Sequence, residues 1–445
     1  MKKVLNILVL LGLIFTSGNA QETLSLPSVD SQTYLLWLQK DWKSLIKEGK
    51  HSLENNIDFY YLRVRMGIAY YEQKNYHMAI HHFEKAYKVN AQEAYLKEYL
   101  YFSYLFAGRN ADAAILASTF PLSLREKVGA AKDNFIDQLS LFHNSSFLTN
   151  TSAIESYPAE FSPANDGFQE ITRRYSLFSI GLLHKPNPSF SISHAYTNIQ
   201  KTSFGFTLDS GSKEIIENQK TTVHQYYIAG SSRLAKGLNV GYGGHIVNIR
   251  YPVDVSFFRQ GQIYTATQIV SNTDAVGFIS ACKSLNYLTL GSSLSLAGLN
   301  SAIQVQGNII LSLYPLGNLN LYSTSTFSYK WESYSNQTID NAVVFDQLLG
   351  FKINRLLWAE GFLTFGSMKN FVTNNGATIY NGIEFITGRY GGRLIILLKP
   401  NISFITTYTN LSKLSTYTET NNPNSTYNPI EYSNHSITGG IIWNF

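Results

Sequence analysis

The sequence predicts a two-part α + β protein, in which a short helical domain precedes an antiparallel β-barrel of about 14 strands. Apolar residues recur at helical spacing from Tyr34 to about Leu124, and at every second position after about Asn134. Aromatic residues also make up 14% of the 445 residues. A change of period from 3.6 to 2 marks a change of secondary structure. We therefore divide the chain into a helical domain, residues 21–135, and a barrel, residues 136–445.

The N-terminal segment has the features of a secretory signal. Two lysines precede an apolar run from Leu5 to Phe15, and Gly18-Asn19-Ala20 supplies the small residues of a cleavage site. The run is about 11 residues, shorter than the roughly 20 that a membrane-spanning helix needs. We expect residues 1–20 to be removed, so that the mature chain begins at Gln21 outside the cytoplasm.

Composition narrows the possible partners. The net charge is +5 without a long basic run, which gives no case for nucleic-acid binding. The lone Cys282 excludes an intramolecular disulfide framework and a thiolate metal cluster. After residue 20 no apolar stretch reaches the length of a transmembrane helix, so the many aromatic residues favour a barrel over a helical bundle.

One window of the helical domain carries small and aromatic residues at fixed spacing. These residues are Gly67, Tyr70, Ala79, Phe83 and Ala86. The pattern resembles the tetratricopeptide repeat (TPR), a helical solenoid. The resemblance implies that the small residues let two antiparallel helices approach closely, while the rings fill the space between them. Three positions depart from the family pattern, namely Arg63, Met66 and Ala91.

The TPR resemblance implies about three repeats of 34 residues. Leu100, Tyr104 and Ala113 fall at equivalent positions one repeat downstream, and Asp41-Trp42 belongs to an earlier repeat. The first helix of each unit would then present a surface to a periplasmic or envelope protein. On this surface we expect Tyr61, Arg65, Ile68 and Tyr71. A plain helical bundle without a binding role is the alternative, because helical periodicity alone does not identify a repeat.

The second domain alternates between apolar and polar residues as a transmembrane strand does. From Ile303 to Tyr314 one face suits lipid and the other, with Gln304 and Gln306, suits water. The same logic places Lys330 on an inward face. Because a carboxylate facing lipid is costly, Glu360 should also point into the lumen, where it could pair with an arginine or lysine.

The connections between strands alternate in length. Short ones are expected at 185–188, 234–237, 283–286, 315–318, 353–356 and 399–401, and long polar ones near 200–221, 251–272, 332–342, 367–392 and 411–433. Short periplasmic turns and long outer loops are typical of transmembrane barrels. The longest irregular stretch, Asn370 to Arg393, could constrict a pore, act as an external receptor or be a flexible cover.

The last strand ends in alternating large hydrophobes, Ile441, Trp443 and Phe445. It resembles the closing strand of Gram-negative outer-membrane β-barrels, which implies that the barrel assembly machinery reads the terminal aromatic residue. Strands counted back from it number about 13, and such barrels have an even number. We therefore expect one more strand at Leu141 to Asn150, followed by an outer loop at 151–171. A secreted β-sandwich is the alternative fold.

The chain shows no catalytic motif, and we assign no catalytic, cofactor or metal-binding residues. His77, His81 and His82 recur at helical spacing without the carboxylates of a metal site. The expected lumen is polar and nearly neutral, without the charged ring of an ion-selective pore.

The order of domains resembles that of outer-membrane secretion proteins with a periplasmic TPR arm, such as bacterial cellulose exporters. This resemblance implies an outer-membrane location, contact with outer-membrane lipid and a channel or export role. Two alternatives are a non-conducting scaffold of an envelope assembly and a barrel enzyme that hydrolyses lipid or protein. Size alone does not separate a channel from a scaffold, because about 14 strands lie between filled and open barrels.

Overall fold

The computed structural model describes residues 24–130, 134–149, 154, 157–158, 161–259, 262–334, 339–420 and 422–445. The predicted signal segment and part of the predicted loop at 151–171 lie outside these residues. The chain forms two compact units that divide between residues 103 and 104.

Seven helices precede the first strand in the described part of the chain. They are α1 Leu26–Leu38, α2 Trp42–Glu54, α3 Tyr60–Glu72, α4 Tyr76–Val89, α5 Ala94–Phe106, α6 Asn110–Ser118 and α7 Leu122–Lys127. Helices α1, α3 and α5 begin at residues 26, 60 and 94, and α2, α4 and α6 begin at 42, 76 and 110. Both series therefore advance by 34 residues. None of the described helices is long and apolar enough to cross a membrane.

The turns before α2, α4 and α6 share one backbone conformation. Lys40, Lys74 and Gly108 adopt left-handed φ angles of 57°, 59° and 74°. The side chain of Asp41 then caps α2 at 3.2 Å, and that of Asn75 caps α4 at 3.2 Å. Such caps satisfy amide groups at the start of a helix that have no partner within it. The helices of each series begin at a regular interval of 34 residues. That the helical domain belongs to the TPR family stays a prediction.

Close approach of neighbouring helices depends on two glycines. A Cβ atom at Gly67 would overlap the ring of Phe83, and one at Gly49 would lie 2.5 Å from the sulfur of Met66. The side chains of Phe83 and Met66 are both buried. A larger residue at either glycine would force α3 away from its neighbour.

Sixteen strands follow in the described residues. They are β1 Ile136–Leu148, β2 Gly167–Asn187, β3 Phe190–Asp209, β4 Ser212–Ala235, β5 Leu238–Arg259, β6 Gln262–Ser284, β7 Leu288–Leu299, β8 Ala302–Leu313, β9 Leu321–Tyr334, β10 Ile339–Lys352, β11 Leu357–Phe365, β12 Phe371–Thr373, β13 Thr378–Tyr380, β14 Phe385–Lys399, β15 Ile402–Glu419 and β16 Asn422–Asn444. Fourteen of them form a closed antiparallel barrel, and β12 and β13 form a separate hairpin. The predicted strand number and the extra first strand are confirmed.

Alternation along the strands separates the two faces of the barrel wall. On β8 the side chains of Ile303 and Ile309 are exposed on the outer face, whereas Gln304 and Gln306 are buried inside. On β16 the outward residues include Ile441, which lies opposite Leu141 of β1. The outer face of the wall is thus apolar and the inner face polar, which is the reverse of the arrangement in a soluble barrel.

The prediction of long polar loops is wrong at four of its five positions. Near 332–342 every described residue belongs to β9 or β10. Near 200–221 the strands β3 and β4 continue to a tight turn at Ser210-Gly211, where both φ angles are positive. Near 251–272 and 411–433 the strands also continue, as the pairs β5–β6 and β15–β16. Polar residues on both faces had suggested loops, yet a hairpin outside an apolar layer can expose both faces to water.

The helices α6 and α7 belong to the same compact unit as the barrel. The carboxylate of Asp112 on α6 accepts hydrogen bonds from Arg109 at 2.7 Å and from the amide of Gly237 at 3.0 Å. It also pairs with Arg233 at 2.5 Å, and its side chain is only 3% exposed. Since Arg233 and Gly237 flank the turn between β4 and β5, this buried carboxylate fixes α6 to one end of the barrel.

Candidate functional site in the barrel lumen

The segment between β11 and β14, residues 366–384, folds into the lumen. It carries β12 and β13, which pair through Phe371 and Tyr380. The turn between them contains Asn374, Asn375 and Gly376, with φ angles of 52°, 49° and 77°. Asparagine and glycine tolerate this left-handed region better than other residues. We call residues 366–384 the inward segment and β12–β13 the inward hairpin.

The tip of the inward hairpin reaches the opposite wall of the barrel. The Nδ1 atom of His245 donates to the carbonyl of Gly376 at 2.7 Å, and the hydroxyl of Tyr227 donates to that of Asn375 at 3.2 Å. His245 lies on β5, which is seven strands from β14 around the 14-stranded ring. The inward hairpin therefore spans the full diameter of the lumen.

The stem of the inward hairpin is held by a side chain that forms hydrogen bonds with both backbone groups of one residue, as a neighbouring strand would. The Gln306 side chain accepts from the amide of Val372 at 3.0 Å and donates to its carbonyl at 2.6 Å. The side chain of Val372 packs against Val276 and Leu299. Gln306 thereby satisfies both backbone groups of Val372 on the edge of β12 that does not face β13.

Two buried charged groups hold the ends of the inward segment. Lys330, on β9, donates to the carbonyl of Lys369 at 2.5 Å and pairs with Glu332 at 2.8 Å. The side chains of Lys330 and Glu332 are both 0% exposed. At the other end, Glu384 accepts from the Tyr432 hydroxyl at 2.7 Å and lies 3.7 Å from Lys413. Removal of one member of such a pair would leave a buried charge without compensation.

A cavity of about 1030 Å³ with mixed polar and apolar walls lies beside the inward hairpin. Its lining combines hydroxyl and amide side chains, including Ser179, Thr197, Ser293, Asn308, Thr324 and Thr407. The charged groups in its wall are paired. Glu360 lies 2.9 Å from Arg393, and Asp346 lies 2.6 Å from Arg389, whose guanidinium also donates to the Tyr380 hydroxyl of the hairpin at 3.0 Å. The wall therefore presents hydrogen-bonding groups with little net charge.

The two residues predicted to face the lumen, Glu360 and Lys330, both point inward. Glu360 lines the cavity and has the arginine partner that its position on the strand suggested. Lys330 instead supports the inward segment. The sequence analysis missed Gln306 as a hairpin contact and Glu384 as an anchor. Gln306 is one of several inward polar residues on β8, so no sequence signal distinguished it. Glu384 follows an irregular stretch and also gave no signal.

The predicted helix-packing residues lie in the interior of the helical unit, where Gly67, Tyr70, Ala79, Phe83 and Ala86 are all buried. The predicted binding surface is only partly a surface. Tyr61 is 59% exposed, but Ile68 is 2% exposed and packs inside. Arg65 pairs with Asp30 at 2.7 Å and Tyr71 packs edge to face with Tyr99. The expectation that Ile68 is presented to a partner is wrong, because neighbouring helices cover that side of α3.

Histidines of the barrel do not converge on a catalytic arrangement in the described residues. Four of them, His184, His194, His224 and His435, contact aromatic residues or each other. His245 faces inward and is engaged by Gly376. In the described part of the chain no three His, Cys, Asp or Glu side chains could together hold a metal ion.

These features define a class of protein: a closed 14-stranded antiparallel barrel whose lumen is spanned by an inward hairpin. No known family profile matches the chain, and no curated protein matches it. Among solved structures, a Pseudomonas aeruginosa FadL homologue is 9% identical and covers 69% of this chain and 90% of its own, with a TM-score of 0.41. The Pseudomonas putida toluene transporter TodX is 7% identical over 71% and 90%, with a TM-score of 0.42.

The translocator domain of the autotransporter NalP from Neisseria meningitidis is 8% identical, over 77% of this chain and 99% of its own, with a TM-score of 0.31. At these identities and TM-scores the likeness implies nothing about what this chain binds or transports.

Proposed function

We propose that this protein is an outer-membrane β-barrel in which the inward hairpin gates passage through the lumen. The observation that carries the proposal is a cavity of about 1030 Å³ bounded by a hairpin that spans the barrel. A lumen lined by hydroxyl and amide groups can replace the hydration of a passing solute. The exposed apolar side chains on the outer face suit a lipid environment.

The helical domain is the proposed periplasmic arm that recruits a protein partner for a channel or export system. Three features support this role: the helices begin every 34 residues, Tyr61 is exposed, and its ring lies 5.7 Å from the Arg65 guanidinium. Aromatic and arginine side chains contribute strongly to protein interfaces. Cross-linking to envelope proteins in intact envelopes tests this role. The Tyr61→Ser variant should lose cross-links to a partner protein that the Tyr34→Ser variant retains.

Planar-bilayer recordings test the gate. In one variant an Asn-Gly turn replaces residues 367–383, which joins β11 to its neighbour β14 directly. We expect a steady conductance several-fold above that of the wild type, because the solute path no longer contains the hairpin. In the control variant an Asn-Gly turn replaces residues 207–214 at the outer end of β3–β4. This change shortens a hairpin outside the lumen and should leave conductance at the wild-type level.

A non-conducting scaffold is the second candidate, and one observation favours it. One end of the inward segment accepts a hydrogen bond from the buried Lys330, and at the other end the segment's own buried Glu384 accepts from Tyr432. Displacement of the segment would therefore be costly. If neither the wild type nor the variant without residues 367–383 shows a conductance, the lumen is not a solute path. A channel or export role would then be excluded, and the role of a non-conducting scaffold would remain.

A further inference from the structure

The outer face of β2 to β5 is arranged in rows of paired residues, because the four strands share one register. Of four successive rows, the one nearest the short turns contains Ile180, Tyr196, Tyr226 and Ile246. The next row contains Phe178, Asn198, His224 and Asn248, the third Ser176, Gln200, Thr222 and Arg250, and the fourth Arg174, Thr202 and Lys220. Along the barrel the face changes from apolar and aromatic to polar and then to basic.

The basic residues of the third and fourth rows point away from the lumen. Arg174, Lys220 and Arg250 are all exposed. The guanidinium of Arg250 donates to Asn248 at 2.9 Å, and Asn248 donates to Ser271 at 2.8 Å on the same face. None of the residues in the four rows is acidic. We call Arg174, Lys220 and Arg250 the outer basic patch.

The rows below the outer basic patch indicate the level of the membrane interface. Tyr196 and Tyr226 are exposed, and the Tyr196 hydroxyl reaches His224 in the next row at 2.8 Å. Amphipathic rings of this kind mark the boundary between acyl chains and headgroups. Successive outward rows are about 6.6 Å apart along a strand, so a tilt of about 40° places the patch roughly 10 to 15 Å beyond the tyrosines.

We propose that the outer basic patch binds the phosphate groups of a phosphorylated, acylated glycolipid of the outer leaflet. Arginine forms paired hydrogen bonds with phosphate, and long basic side chains can extend back towards the interface. Thr202 and Gln200 lie between the basic residues and can donate to sugar or phosphate oxygens. The acyl chains of the same molecule would pack against Phe178 and Ile180, which are exposed below.

A lipid fits this surface better than a soluble anion does, because the patch continues into the apolar layer. The opposite wall lacks the patch: on β8 and β10 the outward residues at the same end are Ile303 and Ile339, both exposed. Strands β2 to β5 are 20 to 24 residues long, whereas β7 to β11 are 9 to 14. The wall formed by β2 to β5 therefore extends into the headgroup layer, beyond the ends of β7 to β11. The inference rests on the proposed outer-membrane location.

Native mass spectrometry of the full-length protein tests the inference, with bisphosphorylated lipid A and its dephosphorylated form as probes. We expect the wild type to bind the phosphorylated form at least fivefold more tightly. The Lys220→Gln/Arg250→Gln variant should lose this preference. The control, Arg355→Gln/Lys399→Gln, removes the same charge from exposed residues in two short turns at the other end of the barrel and should retain it.

Equal binding of both lipids by the wild type, or an equal loss in the control, would overturn the inference. Binding of inorganic pyrophosphate as tightly as lipid A would overturn the assignment to a lipid. Insertion into phosphatidylcholine vesicles is measured in parallel. A protein that does not insert overturns the proposed location as well, whereas one that inserts without a preference for lipid phosphate overturns the glycolipid site alone.

Discussion

At the tip of the inward hairpin, Gly376 meets two constraints at once. Its φ angle is 77°, and a Cβ atom there would lie 2.7 Å from the ring of Phe278. Gly211, in the turn between β3 and β4, has nearly the same φ angle, 78°, but open space around it. The two residues separate the effect of backbone conformation from the effect of contact with the opposite wall.

Substitution by alanine at these two glycines gives the first prediction. Gly376→Ala and Gly211→Ala both place a side chain in the left-handed region, at a cost of about 1 kcal/mol. Only Gly376→Ala adds a collision in a packed site, which costs about 1 to 3 kcal/mol more. We expect amide hydrogen exchange of residues 371–380 to accelerate in Gly376→Ala alone. Equal protection in both variants would contradict the contact with Phe278.

His82 illustrates a titratable group that the helical unit keeps neutral. Its Nδ1 atom lies 3.2 Å from a guanidinium nitrogen of Arg63, which can only donate, and its ring stacks on Tyr70 with centroids 5.3 Å apart. Burial and the nearby charge of Arg63 lower the pKa of His82 to about 3. Arg63 donates to both His82 and Asp58, so its side chain joins these two residues. Arg63 stands at a position where the TPR pattern has tryptophan.

The second prediction follows from the depressed pKa of His82. In the unfolded chain this histidine takes up a proton near its ordinary pKa of about 6.5, whereas the folded unit binds none down to far lower pH. The contribution of His82 to the free energy of unfolding is therefore fully present above pH 7. It falls on acidification, so that the helical unit is less stable by about 2 kcal/mol at pH 5. Hydrogen exchange of α3 and α4 in the full-length protein should accelerate accordingly.

The His82→Asn variant is the control for this pH dependence. Asparagine keeps an acceptor for Arg63 but does not titrate, so the exchange rates of α3 and α4 should depend less on pH. An equally steep dependence in the variant would assign the effect to another group.

At the scale of elements, the joint between α6 and the barrel depends on one carboxylate. Asp112 neutralises Arg109 and Arg233 and accepts from the backbone of the β4–β5 turn. Because both arginines are largely buried, loss of their partner leaves charge without compensation. By contrast, the pair between Arg65 and Asp30 involves a carboxylate with 44% exposure.

The third prediction compares these two ion pairs. Asp112→Asn should destabilise the attachment of α6 by about 2 to 4 kcal/mol, whereas Asp30→Asn should cost less than about 1 kcal/mol. Amide exchange of residues 110–118 reports the first change, and that of α1 and α3 reports the second. Comparable effects of the two substitutions would show that Asp112 does not hold α6 to the barrel.

Strand periodicity predicted most of the barrel, and burial patterns explain where prediction failed. The alternation at Ile303 to Leu313 fixed both the strand and the direction of its side chains. In the tall hairpins both faces are polar, so the period of two was hidden and strands were mistaken for loops. The inward segment was found only as an irregular stretch, because its contacts with His245 and Gln306 join residues 66 or more positions apart in sequence.

On the scale of the whole molecule, the outer surface and the end of β16 bear on membrane assembly. Ile441, Trp443 and Phe445 are exposed on the outer face, and the rings of Trp443 and Phe445 stack at 5.1 Å. Their role as an assembly signal stays a prediction. Ile437 lies on the same face of the same strand and is similarly exposed, which makes it a matched position.

The fourth prediction uses this match. Phe445→Ser should reduce the amount of protein in outer-membrane fractions several-fold, because the assembly machinery is expected to recognise the terminal aromatic residue. Ile437→Ser removes an apolar side chain of similar exposure and should reduce the amount far less. Equal levels of the two variants would show that Phe445 contributes only as one more lipid-facing residue.

The seam between β1 and β16 also constrains the order of events during folding. Eleven residue pairs join the two strands, and the pair Gln138 and Asn444 is 306 positions apart in sequence. Contacts of such sequence separation are slow to form, because the intervening chain must be ordered first. Until the seam closes, the nascent barrel has two unpaired strand edges that can bind other chains. The lifetime of this open form, more than the stability of the closed one, sets the demand for a chaperone.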